Sequence, residues 1–128
     1  MKKILDLLLH ENHDDFKKNN PFDKRFEEAN RIRTKYPNRI PVICQRLSTN
    51  IPKSNKKKYL VPGDLTLGQF LYVIRRRIML SSEMGIYLFV GENNSLLNNT
   101  SIINDIYDRY HDKDGFLYIN YSGENTFG

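Results

Sequence analysis

The sequence predicts an α+β roll, in which one sheet buries a face under helices. Three observations carry the prediction. Apolar residues recur at three- and four-residue steps over 22–36 and 67–78; β-branched and aromatic runs fall at 40–47, 58–62, 86–90 and 116–121; and clusters of Pro, Gly, Asn and Asp separate them. The order is leader, helix, strand, strand, helix, strand, helix, strand. With 128 residues and 39% hydrophobic content, the chain fits one small domain with one core.

Residues 1–20 read as a polar leader around the apolar knot Ile4-Leu5-Asp6-Leu7-Leu8-Leu9. That knot is far shorter than the ~20 residues a membrane span needs. It also makes a weak signal peptide, because His10-Glu11-Asn12-His13-Asp14-Asp15 follows where small residues should lead to a cleavage site. Pro21 opens the first helix and, with it, the folded body. Asn20 can cap that helix, and proline at the first helical position sacrifices no hydrogen bond. Phe22, Phe26, Ala29, Ile32 and Tyr36 are its expected inward face, and Pro37 ends it.

The first strand spans 40–47, with Pro41 near its beginning, and the second covers 58–62; a polar loop makes them a long-looped hairpin. Pro62-Gly63-Asp64 stops the hairpin. Thr66-Leu67-Gly68-Gln69 matches a capping box, so a helix is expected from Leu67 with Leu67, Phe70, Leu71, Ile74 and Ile78 inward and Arg77 near the edge of that face. The unbroken run Ile86-Tyr87-Leu88-Phe89-Val90 predicts a central strand. An Asn-rich loop then leads to a short helix with Ile102, Ile103, Ile106 and Tyr110 inward. Asp112-Lys113-Asp114-Gly115 supplies the last turn, and 116–121 the last strand.

Composition narrows the function. One cysteine beside three histidines gives neither a disulfide framework nor a metal-ligand spacing, which points to a reducing, cytosolic compartment and to no cofactor. No serine lies in a nucleophile elbow and no Gly-rich phosphate loop is present, so no catalytic residue is assigned. Cys44 is either a nucleophile or a small buried thiol, and its apolar strand favours the thiol.

The formal net charge is +5, but it is local: Lys53-Ser54-Asn55-Lys56-Lys57-Lys58 and Arg75-Arg76-Arg77 carry much of it. No RNA motif, zinc finger or helix-turn-helix accompanies these runs, so nucleic acid is not the expected partner. Lysines on an edge strand also guard against aggregation. A third reading is that the alternating strand Lys58–Pro62, with Lys58, Leu60 and Pro62 on one face and Tyr59 and Val61 on the other, pairs with an extended peptide. Arg39, Lys56 and Lys58 then match acidic residues flanking that peptide. Finally, Tyr121-Ser122-Gly123-Glu124-Asn125-Thr126-Phe127-Gly128 reads as a mobile tail. A terminal glycine is weak evidence alone, yet having no side chain it lets its carboxylate enter a narrow catalytic cleft and be activated.

Asn38-Arg39-Ile40-Pro41-Val42-Ile43-Cys44, Lys57-Lys58-Tyr59-Leu60-Val61-Pro62, Asp64-Leu65-Thr66 and the end from Asp112 to Gly128 together resemble the autophagy modifiers of the GABARAP and light-chain type, over about five-sixths of the chain. The resemblance implies a ubiquitin-like β-grasp roll with additional N-terminal helices. It divides the chain into a leader (1–20), a ubiquitin-like domain (21–121) and a conjugation tail (122–128). It also implies that Gly128, exposed by a processing and delipidating cysteine protease, passes through activating and conjugating enzymes to phosphatidylethanolamine. The protein would then be cytoplasmic, monomeric in solution and peripheral on autophagosomal membranes when conjugated.

Cargo receptors bearing an aromatic-x-x-aliphatic motif are implied as partners. By matching position, the aromatic pocket uses Glu28, Ile32, Pro41, Ile43, Lys58, Leu60 and Phe116. The aliphatic pocket uses Tyr59, Val61, Pro62, Leu65, Phe70, Val73 and Arg77. In that reading Leu60 and Tyr59 are partly exposed pocket walls. An unconjugated peptide-binding adaptor is the alternative. The leader is longer than the resemblance implies, and its Ile4-Leu5-Leu8 stripe reads as a membrane or partner helix, a self-docked cap, or disordered chain.

Overall fold

A computed structural model describes residues 15–78 and 84–124. Its elements are α1 (Phe16–Asn19), α2 (Phe22–Lys35), β1 (Arg39–Arg46), β2 (Lys58–Pro62), α3 (Leu67–Arg77), β3 (Ile86–Val90), α4 (Ile103–Tyr110) and β4 (Leu117–Gly123). The strands form one mixed sheet in the order β2-β1-β4-β3. β1 and β4 run parallel in the middle, and both outer pairs are antiparallel. Pro41 lies ahead of the β1–β4 register, which begins at Val42 opposite Leu117, so its missing N–H breaks no bond to β4.

Strand alternation gives the sheet two apolar faces of unequal size. The larger core packs Val42, Cys44, Val61, Leu88, Val90, Leu117 and Ile119 against Leu67, Phe70, Ile74 and Ile78 of the α3 region and Ile103 and Ile106 of α4. On the opposite, outer face a second cluster joins Ile43, Phe116 and Tyr118 to Phe16 of α1 and Ala29 of α2, with Ile32 against it. α3 begins as expected: Gln69 N donates to Thr66 Oγ1 at 3.1 Å and Thr66 N donates to Gln69 Oε1 at 2.9 Å, a reciprocal capping box.

The structure corrects several expectations. The packed body starts before Pro21. Asp15 caps α1 by accepting from Lys17 N, Phe16 N donates to Gln45 Oε1 at 2.8 Å, and the buried Phe16 ring meets Phe116 edge-on at 5.4 Å. Asn20 serves α1, not α2, donating from Nδ2 to the Phe16 carbonyl at 2.9 Å. Pro21 occupies the N-cap of α2, whose carbonyl accepts from Lys24 N and Arg25 N.

α2 is also turned from its expected face, since Phe22, Phe26 and Tyr36 are 45%, 49% and 41% exposed while Arg25 and Ala29 are buried. The cause is the turn before β4. Asp114, fully buried there, draws Arg25 inward, and Gly115, at φ +91°, passes so close that a Cβ on it would stand 3.0 Å from that of Ala29.

β3 is an edge strand, not the centre of the sheet. A continuous apolar run reports two apolar faces, not two strand neighbours: Ile86, Leu88 and Val90 fill the core, while Tyr87 and Phe89 lie on the outer face. On α4, Ile103 and Ile106 are buried and Tyr110 half-buried as expected, but Ile102 is exposed at the N-cap.

Candidate functional site

β2 pairs only with β1, so its other edge is open. Tyr59 and Val61 turn into the core and Lys58 and Leu60 outward, with Leu60 42% exposed. In the ladder Leu60 stands opposite Pro41, and Lys58 opposite Ile43. The outer-face cluster places Ile43, Phe116 and Ile32 together, and Lys58 Nζ reaches Glu28 Oε1 on α2 at 2.7 Å. The seven residues assigned to the aromatic pocket therefore gather between α2 and β2. Their floor of Pro41, Ile43 and Phe116 is buried, their walls at Ile32 and Leu60 are half-buried and exposed, and one ion pair, Glu28–Lys58, crosses between the helix and the strand. Lys58 Nζ also stands 5.4 Å from the Phe16 ring, a residue that sequence reasoning missed. Its signal was present: Asp15 directly before an aromatic is a cap beside a packing residue.

The seven aliphatic-pocket residues divide differently. Tyr59, Val61 and Phe70 are all under a tenth exposed and belong to the larger core, where the Tyr59 and Phe70 rings meet edge-on at 5.6 Å. Tyr59 is thus not a partly exposed wall. Burial pushes its phenol up from the usual tyrosine range, opposed first by the Ser54 side chain and then by the charge of Arg77. Pro62 and Leu65 are half-buried, and Val73 and Arg77 are exposed.

Charge surrounds the open edge. Arg39, exposed, donates from Nη1 to the Leu60 carbonyl at 3.4 Å, and Lys56 Nζ lies 4.8 Å from the Tyr59 ring centre. Burial pushes the Cys44 thiol well above the usual range, as its place on the core face dictates. Among the described residues no group of His, Cys, Asp or Glu could hold a metal ion, and no helix is long and apolar enough to cross a membrane.

At the other end of the sheet, β4 ends at Gly123, whose carbonyl accepts from Asn50 Nδ2 at 3.2 Å, and Glu124 N donates to the Gly85 carbonyl at 2.8 Å. Gly128 lies outside the described residues.

Comparison with known proteins agrees with this layout. Residues 24–128 match the family described as "Autophagy protein Atg8 ubiquitin like". "Autophagy-related protein 8" of Mycosarcoma maydis is 56% identical over 114 residues, covering 88% of this chain and 95% of that protein. The protein of the same name from Pichia angusta is also 56% identical, over 88% of this chain and 90% of its own length. The crystal structure of Trypanosoma brucei ATG8 superimposes with a TM-score of 0.81 at 39% identity, covering 89% of this chain and 97% of the other. The mixed four-stranded sheet and its helices are therefore an α+β ubiquitin-like fold.

Proposed function

The chain belongs to the Atg8 family of ubiquitin-like autophagy proteins, and from that premise we propose that it is a non-catalytic modifier joined through Gly128 to phosphatidylethanolamine, recruiting partners through the β2 edge. The observation that carries the recruitment half is Leu60, a large apolar side chain 42% exposed on an edge strand that has no neighbouring strand on its outer side. An extended peptide adding to β2 gains main-chain hydrogen bonds, and its aromatic and aliphatic side chains are read beside the strand. The gathering of Glu28, Ile32, Pro41, Ile43, Lys58, Leu60 and Phe116 supports the aromatic site. For the aliphatic site, Leu65, Pro62, Val73 and Arg77 offer the accessible surface, over a floor of Tyr59, Val61 and Phe70. Arg39, Lys56 and Lys58 suit acidic flanks.

Conjugation follows acyl-transfer chemistry. The Gly128 carboxylate attacks ATP and displaces pyrophosphate, giving an acyl adenylate. A cysteine thiolate of the activating enzyme displaces AMP, the acyl group passes to a thiol of the conjugating enzyme, and the lipid amine then forms the amide as that thiol leaves. A cysteine protease hydrolyses the same amide to return the protein to the cytosol. The test is reconstitution with activating and conjugating enzymes, ATP and phosphatidylethanolamine liposomes. A lipid adduct that disappears when Gly128 is deleted is expected; no adduct, or one indifferent to Gly128, overturns the proposal and leaves an unconjugated adaptor.

A further inference from the structure

The end of β4 is gripped on both of its edges. On one side, β1 stops at Arg46, opposite Tyr121, and Leu47 N donates to the Tyr121 carbonyl at 2.8 Å. The loop that follows turns its side chains onto the strand end. Ser48 Oγ donates to Asn50 Oδ1; its one proton is then in use, so Ser122 Oγ donates to Ser48 Oγ at 2.8 Å. The Ser48 bond fixes which end of the Asn50 amide is the oxygen, and Nδ2 is left to donate to the Gly123 carbonyl at 3.2 Å. On the other side Gly123 pairs with Ile86, and Glu124 N donates to the Gly85 carbonyl at 2.8 Å. The Asn50 amide lies so close that a Cβ on Gly123 would stand 2.9 Å from its Oδ1 and 3.1 Å from its Cγ. Asn50 is itself exposed and belongs to neither apolar cluster, so its bonds hold the strand end and not the core.

We propose that Asn50 is a positioning residue for acyl transfer from Gly128, an inference that rests on the conjugation reading above. Glu124 is the last gripped residue and residues 125–128 follow it, so the reactive carboxylate lies within ~14 Å of the sheet's end. An enzyme that docks the domain therefore meets the carboxylate at a bounded reach from a fixed point of departure. Without the Asn50 bond the strand end can peel from Ser122, and the tether becomes residues 122–128, seven in place of four. Each doubling of a tether costs about threefold in bringing its ends together, and loss of direction at the carboxylate adds to that. The docking surface is untouched, so the loss falls on turnover and not on capture.

The test follows thioester formation on the activating enzyme, with ATP, against the concentration of the full chain. Asn50→Asp keeps the shape but lacks the donor: it should lower kcat by about threefold or more at unchanged KM, speed hydrogen exchange at the Glu124 amide, and leave affinity for an aromatic-x-x-aliphatic peptide as it was. Gly123→Ala, whose methyl displaces the Asn50 amide, should do the same. Asn50→Ala/Gly123→Ala should lose no more than Gly123→Ala alone, since the methyl then has nothing to displace. Wild-type kcat in Asn50→Asp overturns the inference, whether or not Glu124 exchange quickens. A raised KM at unchanged kcat also overturns it, by making Asn50 an enzyme contact. If the unaltered chain forms no thioester, the conjugation reading falls and the inference with it; a normal unaltered chain beside indifferent variants sinks the inference alone.

Discussion

Arg25 and Asp114 form an ion pair at 2.9 Å with side chains 10% and 0% exposed, and the carboxylate also accepts from Tyr118 Oη at 2.5 Å and Phe116 N at 2.9 Å. Arg25 Nη1 in turn donates to the Lys17 and Asn20 carbonyls, so one guanidinium ties α1, α2 and the turn before β4 together. Arg25→Met leaves Asp114 buried without its cation, and urea unfolding should show a loss of ~3–5 kcal/mol; a loss below ~1 kcal/mol would mean that water replaces the arginine.

Asp112 is a milder case. Burial pushes its carboxyl up, but hydrogen bonds from Lys17 and the Asp114 amide, with the Lys17 charge, hold it below its ordinary 3.8. A carboxyl depressed in the folded state stabilises fully above 3.8 and loses that contribution as pH falls through its folded value. Melting curves of Asp112→Asn should therefore converge on wild type in acid and diverge near neutrality; parallel curves would refute the linkage.

Leu60 and Tyr59 show what sequence could and could not say at this scale. Alternation placed them on opposite faces, which the structure keeps. Matching by resemblance made both pocket walls, yet burial separates them, because which face of an edge strand meets the larger core depends on α3, remote in sequence. Leu60→Ala should weaken an aromatic-x-x-aliphatic peptide by ~1–3 kcal/mol with an unchanged melting temperature. Tyr59→Ala should instead cost ~3–5 kcal/mol of folding stability. Calorimetric titration and thermal melts on both variants separate the two, and a stable Tyr59→Ala protein would contradict the packing.

At the scale of elements, local signals were legible wherever local physics decides. The capping box at Thr66 is a reciprocal pair of short-range hydrogen bonds, so four residues of sequence suffice to place the start of α3. Thr66→Ala should lower stability by ~1 kcal/mol, read as a shift in urea midpoint at constant slope; Thr66→Ser should retain most of it, and equal losses in both would show that the methyl group, not the cap, matters. β3 and α2 were misplaced for one shared reason. Their apolar patterns describe side chains, but strand order and helix rotation are set by distant partners: β4 returning between β1 and β3, and Asp114 attracting Arg25. An arginine on an otherwise apolar helical face was the available hint. Nothing in the sequence named its carboxylate.

At the scale of the molecule, the sheet holds the proposed recruiting and conjugating ends apart. Leu60 lies on β2 at one edge, whereas Gly123 pairs with Ile86 of β3 at the other, and Glu124 leaves the sheet bonded to Gly85. β1 intervenes between β2 and β4, the strand that carries the tail, and β1 and β4 are the parallel central pair whose inward residues are among the most buried in the chain. Such a core transmits rigid-body position but has no second arrangement for one edge to impose on the other. The two activities should therefore be thermodynamically separable. Leu60→Ala should form lipid adduct at the wild-type rate while losing peptide, and deletion of Gly128 should abolish adduct while leaving peptide affinity unchanged. Measured as a cycle, peptide affinity with and without conjugation should differ by less than ~0.5 kcal/mol for protein on dilute vesicles, the limit expected of distant independent sites. A larger coupling would show that the membrane or the conjugated tail reaches the β2 edge, and that the central pair does not insulate the two ends.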